Sequence, residues 1–87
     1  MQKLLSDATL GDNIRRIRLS RGLTQEQTVA KLQVLGSPIS RSTYSLIEMG
    51  RGNVFAADLV GLQMVFQVDF DEFFRDISPC RGARTTK

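Results

Sequence analysis

Residues 23–51, LTQEQTVAKLQVLGSPISRSTYSLIEMGR, hold two short helical patterns interrupted by glycine, serine and proline. Proline lacks a backbone donor and pushes the residue before it out of helical space, so the stretch reads as two helices and a link. The first opens at Thr24 with Gln27 three residues on, the spacing of a capping box. Thr28, Leu32 and Leu35 follow at helical spacing, and Gly36, Ser37 and Pro38 end the pattern. The second helix opens at Ser40, a good N-cap, and Gly50 suits its C-terminal stop. Tyr44, Ile47 and Glu48 share its inward face, while Arg41, Ser42 and Ser45 lie on the other.

Eighty-seven residues make one domain. A chain of this length buries about two-thirds of its unfolded surface, enough for one modest core. No apolar run approaches the ~20 residues of a membrane span, and no signal-peptide pattern is present, so no membrane partner is expected. The lone cysteine, Cys80, cannot close an internal disulfide, which fits a reducing, cytoplasmic setting. The net charge of +3 is compatible with nucleic acid but says less than its placement. Arg15, Arg16, Arg18 and Arg21 crowd the first helix, and Arg75, Arg81, Arg84 and Lys87 load the C-terminal end.

Residues 1–8 carry no strong pattern and read as an N-terminal arm; residues 9–77 form the domain. Thr9 with Asp12 has the spacing of another capping box, ahead of a stripe of Leu10, Ile14 and Ile17 with Arg18 beside it. Leu19 falls off that stripe, and Gly22 ends the helix. After a loop over residues 51–55, a fourth helix spans residues 56–66 with Leu59, Leu62 and Phe66 inward. Asp69 and Glu72 are spaced as a third capping box before a last short helix with Phe70, Phe73, Phe74 and Ile77 on its stripe. Residues 78–87 are polar and basic and read as a disordered tail. Nothing shows the alternation of a β-strand. The expected core is Leu10, Ile14, Ile17, Leu23, Leu32, Ile39, Tyr44, Ile47, Leu59, Leu62, Phe66 and Phe73.

In order and spacing, GDNIRRIRLSRGLTQEQTVAKL followed by ISRSTYSLIEMGRGN resembles the phage-repressor and Cro type of helix-turn-helix domain, the XRE-like family. The resemblance covers residues 9–74 and implies a compact all-α, five-helix fold that binds double-stranded DNA. It also implies that Arg18 and Glu48 form a largely buried ion pair, and that Gln67 stands where a glycine in the left-handed region is usual. Three departures stand out. QVLGSPI lengthens the link by about one helical turn. Thr28 and Val29 replace the usual Leu and Ala. Leu46 and Met49 replace residues that are usually polar, which bears on the base preference.

A buried helix rarely carries so many small hydrogen-bonding groups at its front end as residues 40–45; a helix laid into a DNA groove does. Arg41, Ser42, Ser45 and Leu46 lie on the outer side near its start, with Ser40 and Thr43 beside them. Arg41 is the long donor of the set, suited to bidentate contact with guanine or to clamping a phosphate. Ser42 and Ser45 discriminate weakly, and Leu46 suits a thymine methyl or a protein contact. Gln25 is expected to donate to a phosphate at the start of the second helix, and Arg51 and Asn53 to meet the backbone further along; each could also be a solvated surface residue. Phe70 and Phe74 either finish the core or form an apolar patch that suits a two-fold dimer.

The chain has no His, no Trp and one Cys, and it shows no catalytic carboxylate pair, metal-ligand cluster or phosphate loop. No enzyme activity, metal or cofactor is expected. The reading is a sequence-specific DNA-binding transcriptional regulator, a repressor acting as a homodimer. The rival is a protein-binding module, anti-repressor or antitoxin-like, on the same fold; Leu46 and Met49 favour it.

Overall fold

The computed structural model describes residues 3–4 and 8–77. Four α-helices are joined by short links: α1 (Ala8–Ser20), α2 (Gln25–Val34), α3 (Arg41–Glu48) and α4 (Ala56–Phe66). A 3₁₀ helix, Phe70–Phe74, follows. Two short strands, β1 (Lys3–Leu4) and β2 (Val54–Phe55), pair antiparallel, with Lys3 opposite Phe55 and Leu4 opposite Val54. The all-α class holds, with two corrections. The fifth helix is a 3₁₀ turn, and part of the expected arm and loop forms a two-residue ribbon. Strands this short offer no alternation to read. The tail expected over residues 78–87, including Cys80, lies outside the described residues, as does most of the arm.

Local chemistry explains most boundaries. At the start of α2 the Thr24 side chain accepts from the Gln27 N–H at 3.0 Å, and Gln27 Oε1 accepts from the Thr24 N–H at 2.9 Å. Both unsatisfied donors of the capping box are thereby met. The end of α2 is closed by Ser37 N–H donating to the Leu32 carbonyl and Gly36 N–H to that of Gln33. This closure needs a left-handed residue, and Gly36 supplies it at φ 100°. The rest of the link is also tied: Gln33 Nε2 donates to the Ile39 carbonyl at 3.0 Å, and Ile39 N–H to Ser37 Oγ at 3.2 Å. The lengthened link is therefore an ordered connection.

Two expected caps are corrected. Thr9 lies inside α1, which already begins at Ala8. Asp69 makes no side-chain cap; the Glu72 N–H donates to the Asp69 carbonyl instead, the tight i to i+3 bond of a 3₁₀ turn. The α4 helix has a start that the sequence reading missed, where the Phe55 N–H donates to Asp58 Oδ2 at 2.9 Å.

The core runs between α1, α2, α3, α4 and the last turn, around Ile14, Tyr44, Ile47, Leu62, Phe66 and Phe73. Val29 and Val54 join it, Leu23 is only partly buried, and Leu35 is 48% exposed. Leu35 leaves the core because it falls at the C-cap of α2, where the helical stripe stops. Leu19, off the stripe, is exposed. Two polar side chains fix the C-terminal portion onto α1. Buried Asn13 donates to the carbonyls of Phe73 at 2.9 Å and Arg75 at 2.7 Å. Arg21 Nε donates to the Phe66 carbonyl at 2.7 Å, satisfying the end of α4.

Gln67 terminates α4 at φ 56° and ψ 53°, the left-handed region. An L side chain there costs about 1 kcal/mol relative to glycine. Gln67→Gly should raise the melting temperature by about 4–8 °C, the shift that ~1 kcal/mol produces in a domain of this size. Calorimetry checks it; an unchanged or lower midpoint would mean that the backbone carries no strain at this position.

Candidate nucleic-acid interface

The outward helix is α3. Ser40 caps it, its Oγ accepting from the Thr43 N–H at 3.1 Å. Ser40 Oγ also donates to Thr43 Oγ1 at 3.1 Å, so both expected contact residues help hold the front turn, and both remain exposed. Tyr44, Ile47 and Glu48 are buried. Arg41, Ser42 and Leu46 are exposed and Ser45 half-buried; together these four line a shallow hollow of about 370 Å³ on the outer face. Their offsets of one, four and five residues from Arg41 place them on one side of the helix. The Arg41 guanidinium has no ion pair or hydrogen bond among the described residues, so its donors are free for a ligand.

Behind this face lies a buried polar bracket. Arg18 Nε donates to Glu48 Oε2 at 2.7 Å and its Nη2 to Oε1 at 3.1 Å. The two side chains are 9% and 2% exposed. Two parallel bonds between a planar guanidinium and a carboxylate fix angle as well as distance. Arg18 Nη1 donates to the Leu23 carbonyl at 2.7 Å, tying the same side chain to the link before α2. Gln25 Nε2 donates to Glu48 Oε1 at 3.1 Å, which brings in the first turn of α2. One carboxylate thus gathers α1, α2 and α3.

The charge states follow from these contacts. Burial pushes the Glu48 carboxyl up, but hydrogen bonds from Arg18 and Gln25 outweigh it and hold the group below the ordinary 4.5. The hydrogen bonds to Glu48 raise Arg18 in turn, against the effect of burial. The Tyr44 hydroxyl is fully buried beside them, outside hydrogen-bonding geometry. Burial above all, with the neighbouring Glu48 carboxylate adding to it, pushes its pKa far above the usual phenol value, so it stays neutral.

The other expected site residues are distributed around this centre. Gln25 is half-buried with one amide hydrogen committed to Glu48, which leaves the second for another acceptor. Arg51 and Asn53 are exposed just beyond α3. Phe70 and Phe74 are 44% and 43% exposed, with Phe73 buried between them. The sequence reading missed Asn13 and Arg21 as structural residues. A polar residue at position 13, between Leu10 and Ile14 on an apolar stripe, was the available signal. Among the described residues no His, Cys, Asp and Glu group is placed to hold a metal ion. None of the described helices is long and apolar enough to cross a membrane.

A capped helix pair with a polar outward helix held from behind defines a helix-turn-helix protein. The family model described as "Helix-turn-helix domain" matches residues 9–73, and the chain belongs to that family. It is a DNA-binding protein of the transcription-regulator class. Its fold is shared with the restriction-modification controller protein C.AhdI from Aeromonas hydrophila: TM-score 0.68, 24% identity, 77% of this chain and 94% of that one covered. The comparison with curated proteins finds no match.

Arg18→Met would strand the Glu48 carboxylate and should cost about 3–5 kcal/mol. The melting temperature should then fall by more than about 10 °C. Glu48→Gln should cost less, since the amide oxygen still accepts one hydrogen bond. Because the folded Glu48 pKa is depressed, its contribution is complete above the ordinary value of 4.5 and is lost as pH falls through the lower folded value. Melts of the parent and Glu48→Gln should therefore converge at acid pH. A midpoint for Arg18→Met within a degree or two of the parent at neutral pH would remove the bracket from the account.

Proposed function

We propose that this protein represses transcription by binding double-stranded DNA sequence-specifically as a homodimer, with the front of α3 in the major groove. The observation that carries this reading is the free Arg41 guanidinium beside Ser42, Ser45 and Leu46 in one hollow, on a helix braced from behind by Arg18 and Glu48. Arg41 reads a guanine edge, Ser42 and Ser45 adapt to either base, and Leu46 packs on a thymine methyl. Ser40 and Thr43 line the approach at the helix front. Gln25 donates its second amide hydrogen to a phosphate, and Arg51 and Asn53 meet the backbone beyond α3, fixing register. This is a binding role without catalysis, performed in the cytoplasm.

The dimer reading draws on Phe70 and Phe74. Two large aromatic side chains left half-open on one short turn form an apolar patch, and a two-fold axis would cover it with its own copy. Two recognition helices would then meet half-sites about one helical turn, roughly 34–36 Å, apart on a pseudo-palindromic operator. A protein-binding role of the anti-repressor or antitoxin kind is the second reading. It is favoured by Leu46 and Met49, 43% and 54% exposed on the recognition helix itself.

Binding of the purified protein to duplex DNA, followed by fluorescence anisotropy across a salt series, tests the first reading against the second. Neutralised phosphates make affinity fall steeply with salt. Absence of binding to any duplex at low salt would favour the protein-binding role. Arg41→Ala should weaken the preferred site more than random DNA, by the roughly 1–3 kcal/mol of a bidentate base contact. An equal loss on both would reassign Arg41 to a phosphate. Phe74→Ser should shift sedimentation toward monomer while the far-ultraviolet spectrum stays helical; an unchanged oligomer would count against the seam.

A further inference from the structure

Gly11 lies in the first half of α1 and is buried. A Cβ built on it would sit 2.5 Å from the Ile47 carbonyl oxygen and 2.7 Å from that of Glu48. These are backbone atoms at the C-terminal end of α3, so they cannot swing aside as a side chain can. The Ile47 oxygen is also engaged, accepting the Gly50 N–H at 3.0 Å in the closure of the helix. Gly61 makes a useful contrast. Its Cβ would meet the Leu32 Cδ2 methyl at 3.0 Å, the far end of a flexible side chain.

We infer that Gly11 is a positioning residue for base recognition, because its missing side chain lets α1 press on the backbone of α3 and so sets where the outward face stands. The inference rests on the reading of α3 as the groove-binding helix. Gly11 and Arg18 are seven residues apart, two helical turns, and so share a face of α1. Both act on the same end of α3, Gly11 at the Ile47 and Glu48 carbonyls and Arg18 at the Glu48 carboxylate. A side-chain ion pair alone fixes the direction of Glu48; backbone contact fixes how close the two helices lie. A β-carbon at position 11 would come closer to these oxygens than real Cβ atoms do, so the two helices must shift apart, while site geometry must be held within about 0.5 Å to be productive. Contacts to base edges are short and directional and suffer first. Phosphate contacts respond to net charge and suffer least.

Alanine also removes the entropic cost of glycine inside a helix, so Gly11→Ala alters stability by two opposed effects, whereas its displacement of α3 has no such offset. The test begins by selecting a preferred duplex for the parent from a random pool. Affinities for that duplex and for a scrambled one are then measured for the parent, Gly11→Ala and Gly61→Ala. All three carry the Gln67→Gly background and are kept at 5 °C, where folding is checked by circular dichroism. The expected result is a discrimination ratio at least about fivefold lower in Gly11→Ala, the low end of what one good base contact contributes. Its salt slope should match the parent, and Gly61→Ala should keep the parent ratio. A purely structural role would lower the melting temperature and leave the ratio of the folded protein untouched, and that outcome overturns the inference. Global unfolding of Gly11→Ala in this background overturns it too, since the contact would then be a folding requirement. If the parent selects no duplex, the groove reading itself fails, and the inference with it; that result is distinguishable because it appears before any variant is made.

Discussion

The ion pair between Arg18 and Glu48 is the constraint on which the arrangement of the helices turns. It adds little net stability, because both charges leave water to form it. Its value is geometric. The two parallel bonds allow one orientation of α3 relative to α1, and the bond from Gln25 extends that restriction to α2. The eight-residue α3 turns only two large hydrophobic residues inward, Tyr44 and Ile47. The carboxylate at its last turn supplies a further fixed point. Gln25 then occupies an informative place, since the residue expected to face a phosphate is fastened to the carboxylate that orients α3.

The same economy governs the rest of the chain. A domain this small has one core, and its links depend on polar side chains to close each end. Asn13 holds the last turn through two carbonyls, and Arg21 holds the end of α4. The link after α2 spends Ser37 and Gln33 on its own backbone. All of these bonds engage backbone groups, and none of them involves Arg41, Ser42, Ser45 or Leu46. Framework residues and candidate interface residues are thus separate sets, with Gln25, Ser40 and Thr43 at the boundary between them.

The parts legible in the sequence were those with local causes. The caps at Thr24 and Ser40 and the span of α4 each depend on a few neighbouring residues, whereas the left-handed Gln67 was reached through family resemblance. The Arg18–Glu48 pair spans thirty positions and was reached through family resemblance, not through spacing. What escaped had mixed causes: the Phe55–Asp58 start of α4 is local, and other misses are tertiary. The ribbon of Lys3–Leu4 with Val54–Phe55 is too short to leave a periodic trace, and Val54 is buried by that placement. The carboxylates at Asp69 and Glu72 had the spacing of a capping box, but a 3₁₀ turn uses the backbone carbonyl instead. Asn13 went unremarked, since the carbonyls it serves lie about sixty residues away. At the candidate interface, the split of α3 into a buried and an exposed face was legible from helical spacing, but nothing hinted that Gln25 shares its amide with Glu48.

The claim that joins these observations is that the bracket behind α3 presents one face to DNA. It is tested most directly by following the backbone amides of the isotope-labelled protein by nuclear magnetic resonance while a preferred duplex is added. The account predicts the largest changes at Arg41, Ser42, Ser45 and Leu46 and at the start of α2, with small changes along the exposed side of α4 at Val60 and Met64. Changes concentrated at Val60, Met64 or the last turn, with α3 unmoved, would contradict it.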